Sequence, residues 1–200
     1  MITRRNLLAL AALLAPLALA ACETPPSAKS APTMSFAHQA PFNLAVSQID
    51  VVSSYKSPLK EPNVEHLMSP VPSPEAAARI WAKDRLKAAG NGDLRAEMRI
   101  LNAPVIETLL KTDKGFSGMF KKEQSARYDA ALAVEIVIRD GRGMAVASAE
   151  AKATRSQTVG EEVSLNQRDQ IWFEMIEALM KDINIRLEDN IRTYMASYLR

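Results

Sequence analysis

The sequence predicts an α/β fold of the α+β kind: a two-layer sandwich whose mixed sheet of about four strands carries two helices on one face, in the order β-α-β-β-β-α. Three observations predict it. Leu94, Ala96, Met98 and Ile100 alternate with Arg95, Glu97 and Arg99, the period-two pattern of a half-buried strand. Tyr128, Ala130, Leu132, Val134, Ile136 and Ile138 repeat that period, turn at Asp140-Gly141-Arg142-Gly143, and return through Ala145, Ala147, Ala149, Ala151 and Ala153. Trp172, Ile176, Leu179, Ile183, Leu187, Ile191, Tyr194 and Tyr198 recur every three or four residues, the apolar stripe of a long helix over about 165–198.

The elements follow in chain order. Residues 1–21 read as a signal peptide. Arg4 and Arg5 give a basic start, and Leu7 to Leu19 is nearly all Leu and Ala, broken by Pro16. That run is short for a bilayer span, which takes about 20 apolar residues, and small residues follow it. Leu19-Ala20-Ala21-Cys22 resembles the lipobox of bacterial lipoproteins. The resemblance implies a diacylglycerol on the Cys22 sulfur, cleavage before Cys22 and acylation of the new amino group. The residues alone also permit an ordinary secretory signal with a chance cysteine. Thr3-Arg4-Arg5-Asn6-Leu7-Leu8 is similar to a twin-arginine export signal, with a plain basic start as the alternative. Each buried methylene contributes about 0.8 kcal/mol, so two or three acyl chains would hold the protein at a membrane without a spanning helix. Glu23 stands where the enterobacterial sorting pattern places an inner-membrane Asp, which leans the expectation towards a periplasm-facing protein of the outer membrane.

Residues 22–41 then read as a lipidated cysteine and a tether. Pro25, Pro26, Pro32 and Pro41 lie among Ser, Ala and Thr, a composition that buries no core. At about 3.1 Å per residue it reaches on the order of 50 Å. Residues 42–200 are expected to form one domain. Loss of residues 1–21 removes Arg4 and Arg5, leaving 23 basic and 23 acidic residues. A formally neutral chain has no net basic stripe for nucleic acid. Acylation of Cys22, the only cysteine, leaves no thiol for a disulfide, a nucleophile or a metal.

Within the domain, Leu44, Val46, Ile49, Val51 and Val52 read as a strand over 42–55, with a change of phase that suggests a bulge. A loop with Pro58, Pro62, Pro70 and Pro72 follows. Ser73-Pro74 is a cap with proline at the first helical position, and the helix is expected to stop at Gly90. A helix between the first two strands makes them parallel neighbours. The strand from Leu94 is expected to bend near Pro104 and resume through Val105, Ile106 and Leu109. Arg95, Glu97, Arg99, Glu135, Glu150 and Lys152 fall on the face away from the helices. The small residues of the return strand would let a helix come close. The last turn of the long helix is expected to overhang the sheet as a contact surface.

A lipobox, a proline-rich tether and this element order resemble small Gram-negative envelope lipoproteins, among them the LPS-assembly lipoprotein and the ABC-transport auxiliary lipoprotein. Trp81 followed by Leu86 in "IWAKDRL" is similar to the Trp-and-Leu helix of the auxiliary family. The resemblance implies an accessory of a membrane or transport complex and carries over no particular binding residue.

Residues fit for catalysis are sparse. His38 falls in the tether and His66 in the proline-rich loop, so a Ser-His-Asp set would rest on His66 and a metal site on His66 with Glu65 and Glu61. Asp84 and Glu97 as paired carboxylates compete with the plainer reading of solvated faces. Gly141 and Gly143 belong to a turn, and no phosphate-binding loop occurs. The expectation is a protein without cofactor or metal, and not an enzyme. "KGFSGMFKKEQ" places Phe116, Met119 and Phe120 among Lys111, Lys114, Lys121 and Lys122. These three residues are the candidate contact with a membrane or an envelope protein partner; the alternative tucks the rings under the sheet edge. Two functions remain in view. One is a non-enzymatic accessory or scaffold; the other is a module that binds lipid or another hydrophobic ligand between the alanine-rich face and the helices. A filled interior favours the first, an apolar cavity of several hundred Å³ the second.

Overall fold

The computed structural model describes residues 33–110 and 124–200. Its main sheet is mixed. Strand β2 (Gln48–Ser53) pairs in parallel with β4 (Arg95–Asn102), with Ile49 opposite Ala96 and Val51 opposite Met98. β4 pairs antiparallel with the far half of β6 (Gln124–Arg139), and β5 (Val105–Leu109) with its near half. β4 and β5 thus lie end to end on one side of β6. Ala103 is buried at the bend, and Ala131 donates its N–H to the Pro104 carbonyl across it at 3.0 Å. β7 (Ala145–Gly160) runs along the other side of β6. The sheet therefore has five strands in chain order but is four positions wide, in agreement with the α+β sandwich expected.

Both helices lie on the Leu, Ile and Ala face. Helix α1 (Pro74–Arg85) starts at Ser73, whose hydroxyl accepts from the Ala76 N–H. That cap satisfies one of the free N–H groups of the first turn. Helix α2 (Leu165–Tyr194) starts with a capping box between Ser164 and Gln167. α2 lies mainly along β7, where Ala149 and Ala151 are buried beneath it, and α1 lies over β4 and β6. Ile136, Ile138, Met98, Ile176, Leu179, Ile183 and Leu187 are fully buried between the layers. Trp81 joins the helices: its ring has 0% exposure, and its Nε1–H donates to Asn184 Oδ1 at 2.7 Å.

Four local expectations are corrected. The stretch 42–55 is not one bulged strand. It breaks after β1 (Phe42–Leu44), where Val46 N–H bonds the Leu44 carbonyl at 2.8 Å, and β1 leaves the main sheet. Helix α1 stops at Arg85 rather than Gly90. Leu86 turns extended (φ −101°, ψ 128°), and β3 (Leu86–Ala88) pairs in parallel with β1. Gly90 is needed for close approach instead: a Cβ there would stand 2.5 Å from the Ala45 carbonyl carbon. Helix α2 ends at Tyr194, which is 65% exposed, and Met195 takes the inward position. Its end does not overhang. The chain turns through Ala196–Tyr198, Tyr198 accepts from Ala45 N–H at 2.7 Å, and Leu199 bridges Leu44.

Packing also begins before the boundary expected at residue 42. Phe36 is buried, and its N–H donates to Asp84 Oδ2 at 2.7 Å. Arg85, 3% exposed, donates to Gln39 and to Glu188 of α2 and stacks 4.7 Å from the Phe42 ring centroid. One guanidinium thus ties the segment before β1 to both helices. Burial pulls its pKa down, while Glu188 opposes that. Among the described residues no helix is long and apolar enough to cross a membrane.

Candidate functional site

Cys22, Phe116, Met119 and Phe120 lie outside the described residues. The chain leaves the sheet towards the three apolar residues beside the pair Leu109–Ala126 and re-enters it at Gln124. Leu109 there is 79% exposed, and Leu165, at the start of α2, is 70% exposed.

A polar cluster stands at this end of the sheet, and no spacing in the sequence announces it. Register puts Glu107 of β5 opposite Tyr128 of β6. The Tyr128 hydroxyl donates to Glu107 Oε1 at 2.7 Å. Trp172 of α2 meets the Tyr128 ring edge-on, centroids 5.3 Å apart at 89°, and the Arg168 guanidinium lies 5.6 Å from the Trp172 ring. The Trp172 Nε1–H is buried without a partner among the described residues. Burial and then Glu107 push the Tyr128 phenol up to about 12. An unfolded tyrosine ionises near ~10. The folded state therefore holds this proton more tightly, and the stability it lends is complete below pH ~10 and lost as pH rises towards about 12. We expect urea titrations of the wild type and Tyr128→Phe to differ in alkaline slope across that window. Parallel curves would remove Tyr128 as the cause.

The face of the sheet away from the helices is charged. Arg99 bridges Glu135 at 2.7 Å and Glu97 at 3.4 Å, and Lys152 meets Glu150 at 3.5 Å. At the β6–β7 turn a cavity of about 890 Å³ is lined by Asp50, Arg95, Glu97, Arg139, Asp140 and Arg142. The Asp140 carboxylate accepts from the N–H groups of Met144 (2.9 Å) and Arg142 (3.0 Å), which hold the turn and keep its pKa low. The lining carries both signs of charge. A second cavity, about 570 Å³, lies between Phe36, His38 and the α2 residues Phe173, Glu177 and Lys181. Neither opens between the sheet and the helices, but a third, about 410 Å³, lies where Lys152, Ala153 and Arg155 of β7 meet Asp182 and Arg186 of α2; deeper in, the side chains named above fill the space.

The residues weighed for catalysis and metal binding diverge. Glu65 turns inward, whereas Glu61 and His66 face solvent. Among the described residues no three His, Cys, Asp or Glu side chains gather as metal ligands. Asp84 is engaged with Phe36 on α1, and Glu97 faces outward from the opposite side of the sheet. Asn63 is buried instead as a clamp. Its Oδ1 accepts from Val105 N–H at 3.1 Å, and its Nδ2 donates to the Tyr55 hydroxyl at 2.8 Å. That pins the proline-rich loop over the free edge of β5. Burial and then Glu65 raise the Tyr55 pKa.

No protein-family model matches the chain, and no curated protein matches it. Among solved structures it is similar to the rare lipoprotein B from Shewanella oneidensis, at 15% identity and a TM-score of 0.35, over 75% of this chain and 94% of that one. A minor lipoprotein from Acinetobacter baumannii gives 16% identity and a TM-score of 0.35, over 74% of this chain and 94% of that one. Lipoprotein GNA1162 from Neisseria meningitidis gives 12% and 0.23, over 67% and 97%.

Proposed function

We propose that this is a membrane-anchored lipoprotein of the bacterial cell envelope. It is held by acyl chains on Cys22, faces the periplasm from the outer membrane, and acts as a non-enzymatic accessory or scaffold of a membrane complex. The sequence Leu19-Ala20-Ala21-Cys22 ahead of a proline-rich stretch carries the reading. The packed centre between sheet and helices, with a hollow of about 410 Å³ at its β7 margin lined in part by Lys152, Arg155, Asp182 and Arg186, supports a scaffold over a module that binds a hydrophobic ligand. The partner is an envelope protein, and the contact includes Phe116, Met119 and Phe120.

Labelling cells with an alkyne analogue of palmitate tests the anchor. The wild type is expected to take the label and fractionate with the outer membrane. Cys22→Ser is expected to lose the label entirely and leave the membrane fraction. A serine variant that stays labelled and membrane-bound would overturn the proposal. Affinity purification of the intact protein tests the role. A stoichiometric envelope protein is expected, and it should be lost from the Phe116→Ala/Phe120→Ala variant at an unchanged melting temperature. Copurifying lipid with no protein partner would instead establish the ligand-binding alternative.

A further inference from the structure

β7 pairs with β6 along its 16 residues, and among the described residues no strand lies on its other side. Alternation in an antiparallel ladder fixes where its backbone groups point. Ala131 directs its N–H towards Pro104, on the β5 side of β6. Its even-numbered neighbours therefore face β7, where they meet odd-numbered partners: Leu132 with Ala153, Val134 with Ala151, Ile136 with Ala149. Ser148, Glu150, Lys152 and Thr154 accordingly send N–H and C=O outward. The Glu150 carbonyl agrees, accepting from Asn190 Nδ2 of α2 at 2.7 Å. An outward-directed row of this kind is a template for another strand, and no proline interrupts residues 145–160.

We propose that two copies of this chain pair antiparallel through β7 about a two-fold axis at Ala151, joining their sheets into one of double width. The charges on the strand select both occupant and register. Glu150, Lys152 and Arg155 are the only charged residues in β7. Glu150 and Lys152 share the outer face of the sheet, are 64% and 65% exposed, and flank Ala151. An axis at Ala151 sets Glu150 of each copy opposite Lys152 of the other. An axis at residue 150 or 152 would oppose Glu with Glu or Lys with Lys, which destabilises paired strands. An axis between residues would match outward-directed groups with inward-directed ones and close no ladder. Ser148, Thr154 and the alanines present no bulk near the axis. Arg155 is occupied by Asp182 of its own chain, and Asn190 covers a single carbonyl that Lys152 N–H of the second copy would take over. The contact is isologous, so it closes as a dimer and does not propagate. It is independent of which envelope protein the chain serves.

Sedimentation of the full-length acylated protein in detergent tests this. The wild type is expected to be a dimer. Glu150→Lys alone and Lys152→Glu alone should each weaken self-association at least about tenfold, since two attractive pairs become repulsive. Both side chains are exposed, so each variant should keep the wild-type fold, read as an unchanged circular-dichroism spectrum. Mixed together, the two variants should form a heterodimer as tight as the wild type, and the double variant E150K/K152E should dimerise again. A monomeric wild type, including one that captures a foreign extended segment at this edge, would overturn the proposal. So would a dimer indifferent to the single reversals, or variants that fail to rescue each other.

Discussion

Trp81→Ala is expected to cost about 3–5 kcal/mol of unfolding free energy, the range for deleting a large ring from a packed interior. Nothing of Trp81 reaches solvent. It stands where α1 meets α2, above the sheet face that carries Met98 and Ile136. Alanine removes the ring contacts and leaves a void that these rigid elements close only in part. It also strips Asn184 of the indole donor that bonds it at 2.7 Å. For a domain of this size the loss corresponds to a fall of roughly 10 °C or more in melting temperature. Trp81→Phe separates the two contributions. It keeps most of the ring and loses the hydrogen bond, so it should cost only about 1–2 kcal/mol. Equal losses in the two variants would show that the bond to Asn184, and not ring volume, governs this contact.

Gly90→Ala is the second large effect, expected to cost about 3 kcal/mol, the upper part of the range for overpacking. The added methyl would lie 2.5 Å from the Ala45 carbonyl carbon and 2.7 Å from both the Ala45 oxygen and the Val46 nitrogen. All three are backbone atoms and cannot rotate away. Relief requires the connection from β1 to β2 to move, which breaks the bonds from Ala89 N–H to Leu44 and from Gly90 N–H to Val46, at 2.8 and 2.9 Å. Gly92→Ala is the control. Its Cβ meets nothing within 4 Å, and the substitution should be neutral or slightly stabilising. Chemical denaturation compares the two variants, and hydrogen exchange at Ala89 and Gly90 locates the damage. A Gly90→Ala protein as stable as the Gly92→Ala control would mean the β1–β2 connection yields freely.

The regular parts of the fold were legible because burial imposes a period. One face of each long strand is covered, so Leu94–Ile100 alternates cleanly and Tyr128–Ile136 does so in burial, although Val137 is buried on the other face. The α2 stripe holds as far as Ile191 for the same reason. The misread parts are those where tertiary pairing overrides local preference. Leu86, Lys87 and Ala88 are good helix formers, yet they are drawn into β3 by a strand 44 residues earlier in register. Gly90 has the look of a helix stop and is required by a distant backbone. Beyond Ile191, a period near 3.6 allowed Tyr194 or Met195 to face inward, and the core took the methionine. The Glu107–Tyr128 pair and the outward edge of β7 follow from strand register alone, which composition and spacing do not disclose. Of the candidate site residues, Cys22 carries a motif in its flanking residues, whereas Phe116, Met119 and Phe120 stand out by local composition alone.

Strand β1 has hydrogen bonds on both flanks, to β3 on one side and to residues 198–200 on the other. It is also the first strand that any tension running along residues 33–41 would meet. Such a pull cannot peel β1 from one neighbour at a time. It must rupture two rows of bonds together and dislodge Arg85 from Phe42 and Gln39. β1 is thus a clasp at the N-terminal side of the domain, fastened by residues from the middle and the far end of the chain.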